Sequence, residues 1–340
     1  MRSVGSTMII CKHCNSANVI RSGTYNCTQY YYCKDCKHRF SEMDSLPKMK
    51  TPIEEIAAAM NMYYGGSPID AIQSFLSQQY GHYLSEAAIY KWIIRFTKEA
   101  IARERDFKPS VGNRWLADET GLNVGNRNVW IWDIIDAKTR YLLASHVSTV
   151  RLTEDAQILI EKAIRRAGKM PDVIITDKLR AYIDGIDLAT GGRVAHIRSK
   201  PFTDKDSTNI IERFHGTLKQ RINVIHHFKD LDTARLLTEG FLVHYNFFKE
   251  HESLGNESPV EHMKIDMPFT DWGDIVRHAN YKQSNVTLLL EPKPIHAPQT
   301  ARQRAKASRR VSMRNLARRR QKQSQPSLSA IRGVRIDAKS

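Results

Sequence analysis

Three acidic residues stand at positions where a metal-dependent enzyme could use them. Asp177 ends the apolar run Val173–Thr176, and Asp118 lies in a strand-like segment. Glu212 falls in the first turns of a helix predicted over 208–222. Hard cations such as Mg²⁺ prefer carboxylate oxygens, and two such ions about 3.5–4 Å apart can activate a nucleophile and stabilise the leaving oxygen of a phosphodiester. The acids therefore predict metal-dependent phosphodiester chemistry, provided that the fold brings them together.

Each acid also has an ordinary structural explanation, as a strand-end or helix-start residue. Glu119 competes with Asp118, and because neighbouring strand residues point to opposite faces, we expect only one of them to face the site. Asp133 and Asp136 are better explained as turn residues. Helical spacing favours the third acid, because one helix face would present Glu212, His215, Gly216 and Lys219. Gly216 would let DNA approach closely, and Lys219 would contact a phosphate.

Four cysteines form two CxxC pairs, Cys11 with Cys14 and Cys33 with Cys36, separated by eighteen residues. This spacing predicts one tetrahedral Zn²⁺ ion held by four thiolates on a hairpin, which is a zinc ribbon over residues 1–46. Cys27 falls outside the pattern. The alternatives are unrelated thiols or a redox pair. The ribbon would be either purely structural or a DNA-contacting module.

Residues 50–108 show apolar positions at helical spacing, interrupted by Gly65–Pro68 and again near Gly81. Ser85 is a suitable cap for a further helix that carries Ile89, Trp92 and Phe96 on one side. The pattern predicts a helix-turn-helix module whose last helix shows Lys91 and Arg95 to DNA. A small structural bundle is the alternative.

Residues 111–265 alternate between strand and helix patterns. We expect a three-strand meander, a helix over 153–166, a buried strand ending at Asp177, the helix with Glu212, and an apolar helix over 231–248. A mixed sheet flanked by helices, in the α/β class, follows from this order.

The formal charge of +16 is concentrated in a basic tail, which we predict to be disordered over 290–340. Between 292 and 340 there are fourteen Lys or Arg residues and one acid. Such a tail favours nucleic acid as the partner, although a solvated tail or a targeting signal would look similar. No apolar run reaches 18 residues, so we expect no membrane span and a cytoplasmic location.

Three motifs together resemble those of the DDE transposases. They are Asp118-Glu119-Thr120, Thr176-Asp177-Lys178 and the segment 209–215 around Glu212, with thirty-four residues between the second Asp and the Glu. Lys219 matches a basic position that often follows the family's Glu. The resemblance is strongest to the insertion-sequence-six group and its archaeal relatives, and it spans roughly 111–263. It implies an RNase H-like, retroviral-integrase-like catalytic domain that uses two Mg²⁺ or Mn²⁺ ions.

The resemblance further implies cleavage at transposon ends and strand transfer into target DNA, by at least a homodimer on double-stranded DNA near the nucleoid of a prokaryotic host. Catalytic roles would fall to Asp118, Asp177, Glu212 and Lys219. The alternatives are a DNA-binding regulator with an inactive catalytic domain and a nuclease without strand transfer. The expected DNA contacts are Lys91, Arg95, Arg213, His215, Lys219, Arg309, Arg310, Arg318, Arg319 and Arg320.

Overall fold

The structure is a computed structural model that describes residues 9–25, 28–42, 44–47, 49–81, 83–124, 127–199, 208–224 and 230–279. Cys27 and the predicted tail contacts Arg309, Arg310, Arg318, Arg319 and Arg320 lie outside these residues. Among the described helices, none is long and apolar enough to cross a membrane.

The N-terminal segment forms a small antiparallel sheet of β1 (Val19–Tyr25), β2 (Thr28–Cys33) and β3 (Arg39–Ser41). Among its described residues, the buried hydrophobic cluster consists of Cys11, Tyr31, Cys33 and Phe40. A core this small contributes little burial energy, so such a domain needs a cross-link or a metal to stay folded.

Three helices follow: α1 (Ile53–Gly65), α2 (Ile69–Tyr80) and α3 (Glu86–Glu104). Gly66 and Gly81 end the first two in the left-handed conformation. The prediction that Ser85 caps α3 is confirmed, because its hydroxyl accepts a hydrogen bond from the Ala88 N–H at 3.2 Å. The three helices share one hydrophobic cluster with the sheet domain that follows.

A five-stranded sheet forms the centre of the next region. It contains β4 (Arg114–Val124), β5 (Arg127–Asp136), β6 (Leu142–Ser148), β7 (Val173–Thr176) and β8 (Ala195–Arg198), in the order β6-β5-β4-β7-β8. The first three strands are antiparallel, as the predicted meander required, whereas β7 pairs in parallel with β4 and β8 with β7. This mixed sheet is the RNase H-like arrangement, so the predicted fold class is confirmed.

Helices cover the sheet: α4 (Thr153–Ala167), α5 (Arg180–Thr190), α6 (Asn209–Val224) and α7 (Leu231–Phe247). The short helices α8 (Pro259–Met263) and α9 (Trp272–Arg277) follow. Gly185 allows α4 and α5 to pack closely, because a Cβ there would lie 2.6 Å from the Cβ of Ala156. The sequence interpretation named neither α5 nor β8.

The helical region and the sheet domain are joined by specific contacts. Tyr64 of α1 stacks on Trp272 of α9 with ring centroids 5.1 Å apart, and its hydroxyl lies 2.6 Å from the Thr97 hydroxyl. Gly240 of α7 lies at this crossing, where a Cβ would collide with the Tyr64 hydroxyl. Glu104 of α3 pairs with Arg166 of α4. These contacts hold the helical region against the sheet domain.

Candidate functional site

The four paired cysteines converge on one point. Their sulfur atoms all lie within 4.8 Å of one another. Cys11 Sγ is 3.6 Å from Cys36 Sγ, and Cys14 Sγ is 3.6 Å from Cys33 Sγ. Tetrahedral zinc with Zn–S bonds of about 2.3 Å requires sulfur–sulfur separations of about 3.8 Å. The backbone N–H of Cys36 lowers the pKa of the Cys33 thiol to about 6, whereas burial raises the pKa of the Cys36 thiol to about 12, so Cys33 ionises first. The cluster therefore fits a single tetrahedral ion.

The acidic site is built by the register of two parallel strands. Ala117 of β4 pairs with Thr176 of β7, so the next residues, Asp118 and Asp177, emerge side by side where β7 ends. Carboxylate oxygens of Asp118, Asp177 and Glu119 lie within 4.8 Å of one another. Two strand segments separated by about sixty residues in the chain thus supply one cluster.

Glu119 joins this cluster although it starts from the opposite face of β4. Asp118 contacts His215 of α6 on one face, whereas Glu119 pairs with Arg151 on the other. Arg151 in turn lies over the Trp130 ring, 4.1 Å from its centroid. The expectation that only one of the two acids would face the site is wrong, because the neighbouring strand ends there and both side chains can reach the same edge.

The cluster carries unfavourable negative charge. Burial, followed by the charges of Asp177 and Asp118, raises the pKa of Glu119 to about 7. Burial also raises the pKa of Asp177, although a hydrogen bond from the Leu179 N–H acts to lower it. Crowded carboxylates of this kind are stabilised by a cation. An all-oxygen donor set fits a hard divalent ion, and the site is suited to divalent-metal use.

His215 connects the acidic cluster to the core. Its Nδ1 is 3.3 Å from Asp118 and its Nε2 is 3.0 Å from Asp133, whose other oxygen accepts from the Ser145 hydroxyl at 2.6 Å. Burial lowers the pKa of His215, but its bonds to the two aspartates outweigh this and raise it to about 9. The ring is buried, contacts both aspartates and orients Asp118. His215 therefore lies inside the protein, whereas the sequence predicted that it would contact DNA.

Asp133 was expected to be a turn residue, and that expectation is wrong. It lies inside β5, opposite Asp118, and is fully buried. The signal available in the sequence was an acid in the middle of the apolar run Val129–Ile135. Asp136, by contrast, does stabilise a turn, because one oxygen accepts from both the N–H and the hydroxyl of Thr139.

Glu212 does not belong to the group of three carboxylates. It lies half-buried in the first turn of α6, where its Oε1 accepts from the Thr208 hydroxyl at 2.7 Å. His215, three positions later on the same helix, contacts Asp118. Glu212 therefore borders the cluster without contributing to it in this conformation.

The other predicted residues are distributed over two helices. Arg213 and Lys219 are exposed on α6, and Lys91 is exposed on α3. Arg95 is half-buried, and its guanidinium donates to Met49 Sδ at 3.3 Å. Three of these four cations are thus available to a ligand, and Arg95 is partly used within the protein.

Residues 112–251 match a protein family described as a DDE domain. Many solved structures are similar in part, three of which follow, and no curated protein matches the chain. The HTLV-2 integrase catalytic core domain in complex with magnesium is 15% identical, with a TM-score of 0.37 over 46% of this chain and 99% of that one. The simian T-cell lymphotropic virus intasome in complex with PP2A regulatory subunit B56 gamma is 16% identical, with a TM-score of 0.39 over 62% of this chain and 73% of that one. The BIV integrase catalytic core domain is 16% identical, with a TM-score of 0.34 over 43% of this chain and 91% of that one.

The sheet order and the acidic edge fit an RNase H-like fold, and the DDE-domain match indicates an enzyme of the polynucleotidyl transferase type that uses divalent metal. The family match applies to residues 112–251, which are a DDE domain. This domain supports a transposase- or integrase-type function of DNA cleavage and strand transfer.

Proposed function

We propose that this protein is a transposase that cuts at the ends of its own mobile element and joins them to target DNA, using Asp118, Asp177 and Glu212. The observation that carries the proposal is the convergence of Asp118 and Asp177, with Glu119, at the end of β7 inside the matched DDE domain. We infer Mg²⁺ or Mn²⁺ as the ions, because the donors are all carboxylate oxygens.

Two bound ions would lower the pKa of the attacking hydroxyl or water and offset charge on the leaving oxygen. The chain's own residues would prepare this site. His215 holds Asp118, and the fully buried Asp133 holds His215. Lys219, one turn beyond His215 on α6, would bind a phosphate of the reacting strand.

Glu212 completes the site in this proposal by leaving Thr208 and turning towards the aspartates. The motif spacing favours Glu212 over Glu119 as the third acid. In addition, Glu119 is already paired with Arg151. Glu119 would then set the charge of the site and position Arg151, whose guanidinium lies over Trp130.

The N-terminal region would recognise the element's ends. Four cysteines would hold one Zn²⁺, which keeps the ribbon folded, and α3 would present Lys91 and Arg95 to DNA. Because two ends must be joined in one complex, we expect at least a homodimer on DNA, in the nucleoid of a prokaryotic host. The tail arginines from 309 onward would add phosphate contacts.

Strand transfer tests these assignments. The substrate is duplex DNA taken from the sequence flanking this gene, with Mg²⁺ or Mn²⁺ and the full chain. We expect Asp118→Asn, Asp177→Asn and Glu212→Gln to abolish cutting and joining, and Glu154→Gln, at an exposed position on α4, to retain both.

Glu119→Gln separates the two candidate third acids. A loss as large as that of Asp177→Asn, with full activity in Glu212→Gln, would exchange their assignments. Cutting without joining by the wild type would favour a nuclease, and DNA binding without either reaction would favour a regulator.

A further inference from the structure

A basic pocket lies along α6, outside the acidic cluster. It has a volume of about 240 Å³. Its described lining residues are Arg140, Asn209, Ile210, Arg213, Phe214, Thr217, Tyr245, Lys249, His251 and Ser253. Three of them are cations and none is acidic, so an anion is the ligand that this lining favours.

Polar groups in this pocket lack partners. Arg140 Nη1 and His251 Nε2 are buried, and neither has a hydrogen-bond partner in the part of the chain that the structure describes. An unpaired buried donor costs about 1–3 kcal/mol, and more when it is charged. The Asn209 amide oxygen is also buried and unpaired, but a flip of the amide would present its N–H₂ group instead. An anion with several oxygens would satisfy all three.

The charges themselves are mutually unfavourable. Burial lowers the pKa of Arg140, and the nearby Arg213 adds to that effect, whereas Tyr245 and Asp136 raise it. Burial and Lys249 lower the pKa of His251 to about 4, so its ring is neutral near pH 7. A bound anion would offset the repulsion between the cations and would draw a proton onto His251.

The pocket and the acidic cluster lie on opposite sides of α6. Ile210, Arg213 and Thr217 line the pocket from one face of the helix, while Glu212 and His215 lie on the opposite face. A helix with its side chains is about 10–12 Å across, so a different stretch of the DNA backbone from the one at the acidic cluster would reach the pocket.

We propose that this pocket binds a backbone phosphate of the DNA, away from the phosphodiester at the acidic cluster. Arg140 and Arg213 supply the charge, since a guanidinium matches phosphate oxygens well. Lys249 and the Ser253 hydroxyl, which also line the pocket, add donors. The site deepens the proposed function and rests on it, because it adds a contact to the DNA that would be cut.

Salt-dependent binding of a 30-base-pair duplex to the full chain tests the pocket. Each lost phosphate contact lowers the slope of log K against log salt by about 0.9. We expect Arg140→Gln and Lys249→Gln each to lose about that amount, which means about eightfold weaker binding at 0.1 M salt. Lys138→Gln removes a charge from an exposed position in the same turn as Arg140, and it should leave the slope unchanged.

Arg140→Lys checks for a purely structural effect, because it keeps the charge and should recover most of the slope. If Arg140→Gln does not fold, Lys249→Gln carries the test alone. Slopes for both pocket variants equal to that of Lys138→Gln would overturn the proposal.

The ring signals of His251 identify the occupant. With duplex bound, its pKa should rise by at least one unit above that of the free chain. A rise with inorganic phosphate but not with duplex would show that the pocket takes a free anion, and would overturn the assignment to DNA. Metal-dependent joining by the wild type is measured in parallel. Its absence would defeat the proposed function, whereas the salt slopes report on the pocket independently.

Discussion

The cysteine cluster and the acidic cluster reach similar compactness by different means. Both place their ligand atoms within 4.8 Å. The cysteines do so within 26 residues, beside a hydrophobic cluster of four buried side chains. The acids do so across a five-stranded sheet inside a far larger core. Because their cores differ so much in size, we expect the first site to depend on a metal for folding and the second to fold without one.

Removal of zinc is the strongest way to break this comparison. Structural zinc binding is worth about 10–16 kcal/mol and is coupled to folding. We expect Cys33→Ser, or chelation, to unfold residues 9–42 while the main melting transition stays in place. Heteronuclear NMR and zinc content provide the measurement, and Cys27→Ser serves as the control outside the pairs. A shared melting transition for both regions would contradict the comparison.

The acidic cluster should behave in the opposite way. Asp177→Asn should lower the strand-transfer rate by about a thousandfold, since a metal ligand supplies about 4 kcal/mol of transition-state stabilisation. Its melting temperature without metal should stay equal or rise, because a crowded carboxylate is removed. Asp266→Asn, at an exposed position, is the matched control. A large loss of stability would mean that Asp177 also has a role in folding.

Acid should weaken the core between α1, α7 and α9 through His244, which is buried against Trp272 and Tyr64. Burial, with Lys249 and Arg221, lowers the pKa of His244 to about 3. Between about pH 6.5 and pH 3 the unfolded chain binds a proton at His244 that the folded chain does not. This contribution to the free energy of unfolding is therefore complete above about pH 6.5 and is lost as the pH decreases towards 3.

The expected slope from His244 is about 1.4 kcal/mol per pH unit in that window. Denaturant unfolding of His244→Gln should show a pH dependence that is shallower by this amount. His278→Gln, at an exposed position, should not. Equal slopes for all three proteins would show that His244 is protonated in the folded state.

The smallest expected effect separates stability from function on α6. Gly216 is exposed, and a Cβ there meets nothing within 4 Å among the described atoms. Gly216→Ala should therefore stabilise the fold by up to about 1 kcal/mol, as Gly65→Ala should on α1. Only Gly216→Ala should slow strand transfer, if DNA approaches this face. Unchanged rates in both variants would remove the contact from the proposal.

Local signals in the sequence were sufficient for much of the architecture. The CxxC spacing predicted the converging thiols, and strand-like runs predicted β4 to β7. The hydroxyl of Ser85 does cap α3. These features depend on residues close together in the chain, where spacing and turn chemistry leave few alternatives.

Long-range features were harder to predict. The position of Asp133 required the pairing of β5 with β4, and a charged residue in an apolar run looks like a turn residue until that register is known. The basic pocket required α6, α7 and the β5–β6 turn to meet. No local pattern connects Arg140 with Arg213 or Lys249.

By itself, the sequence determined which chemistry is available: four thiolates for one metal, three motif acids for another, and a DDE transposase pattern. The tertiary structure decided which groups meet. Parallel pairing of β4 with β7 sets Asp118 beside Asp177, and the end of β7 admits Glu119 as well. Packing of α6 against β4 and β5 places His215 in contact with Asp118, while Glu212 accepts a hydrogen bond from Thr208. Residue types fix what a side chain can do, whereas strand register and helix packing fix its partners, because these depend on contacts between distant segments.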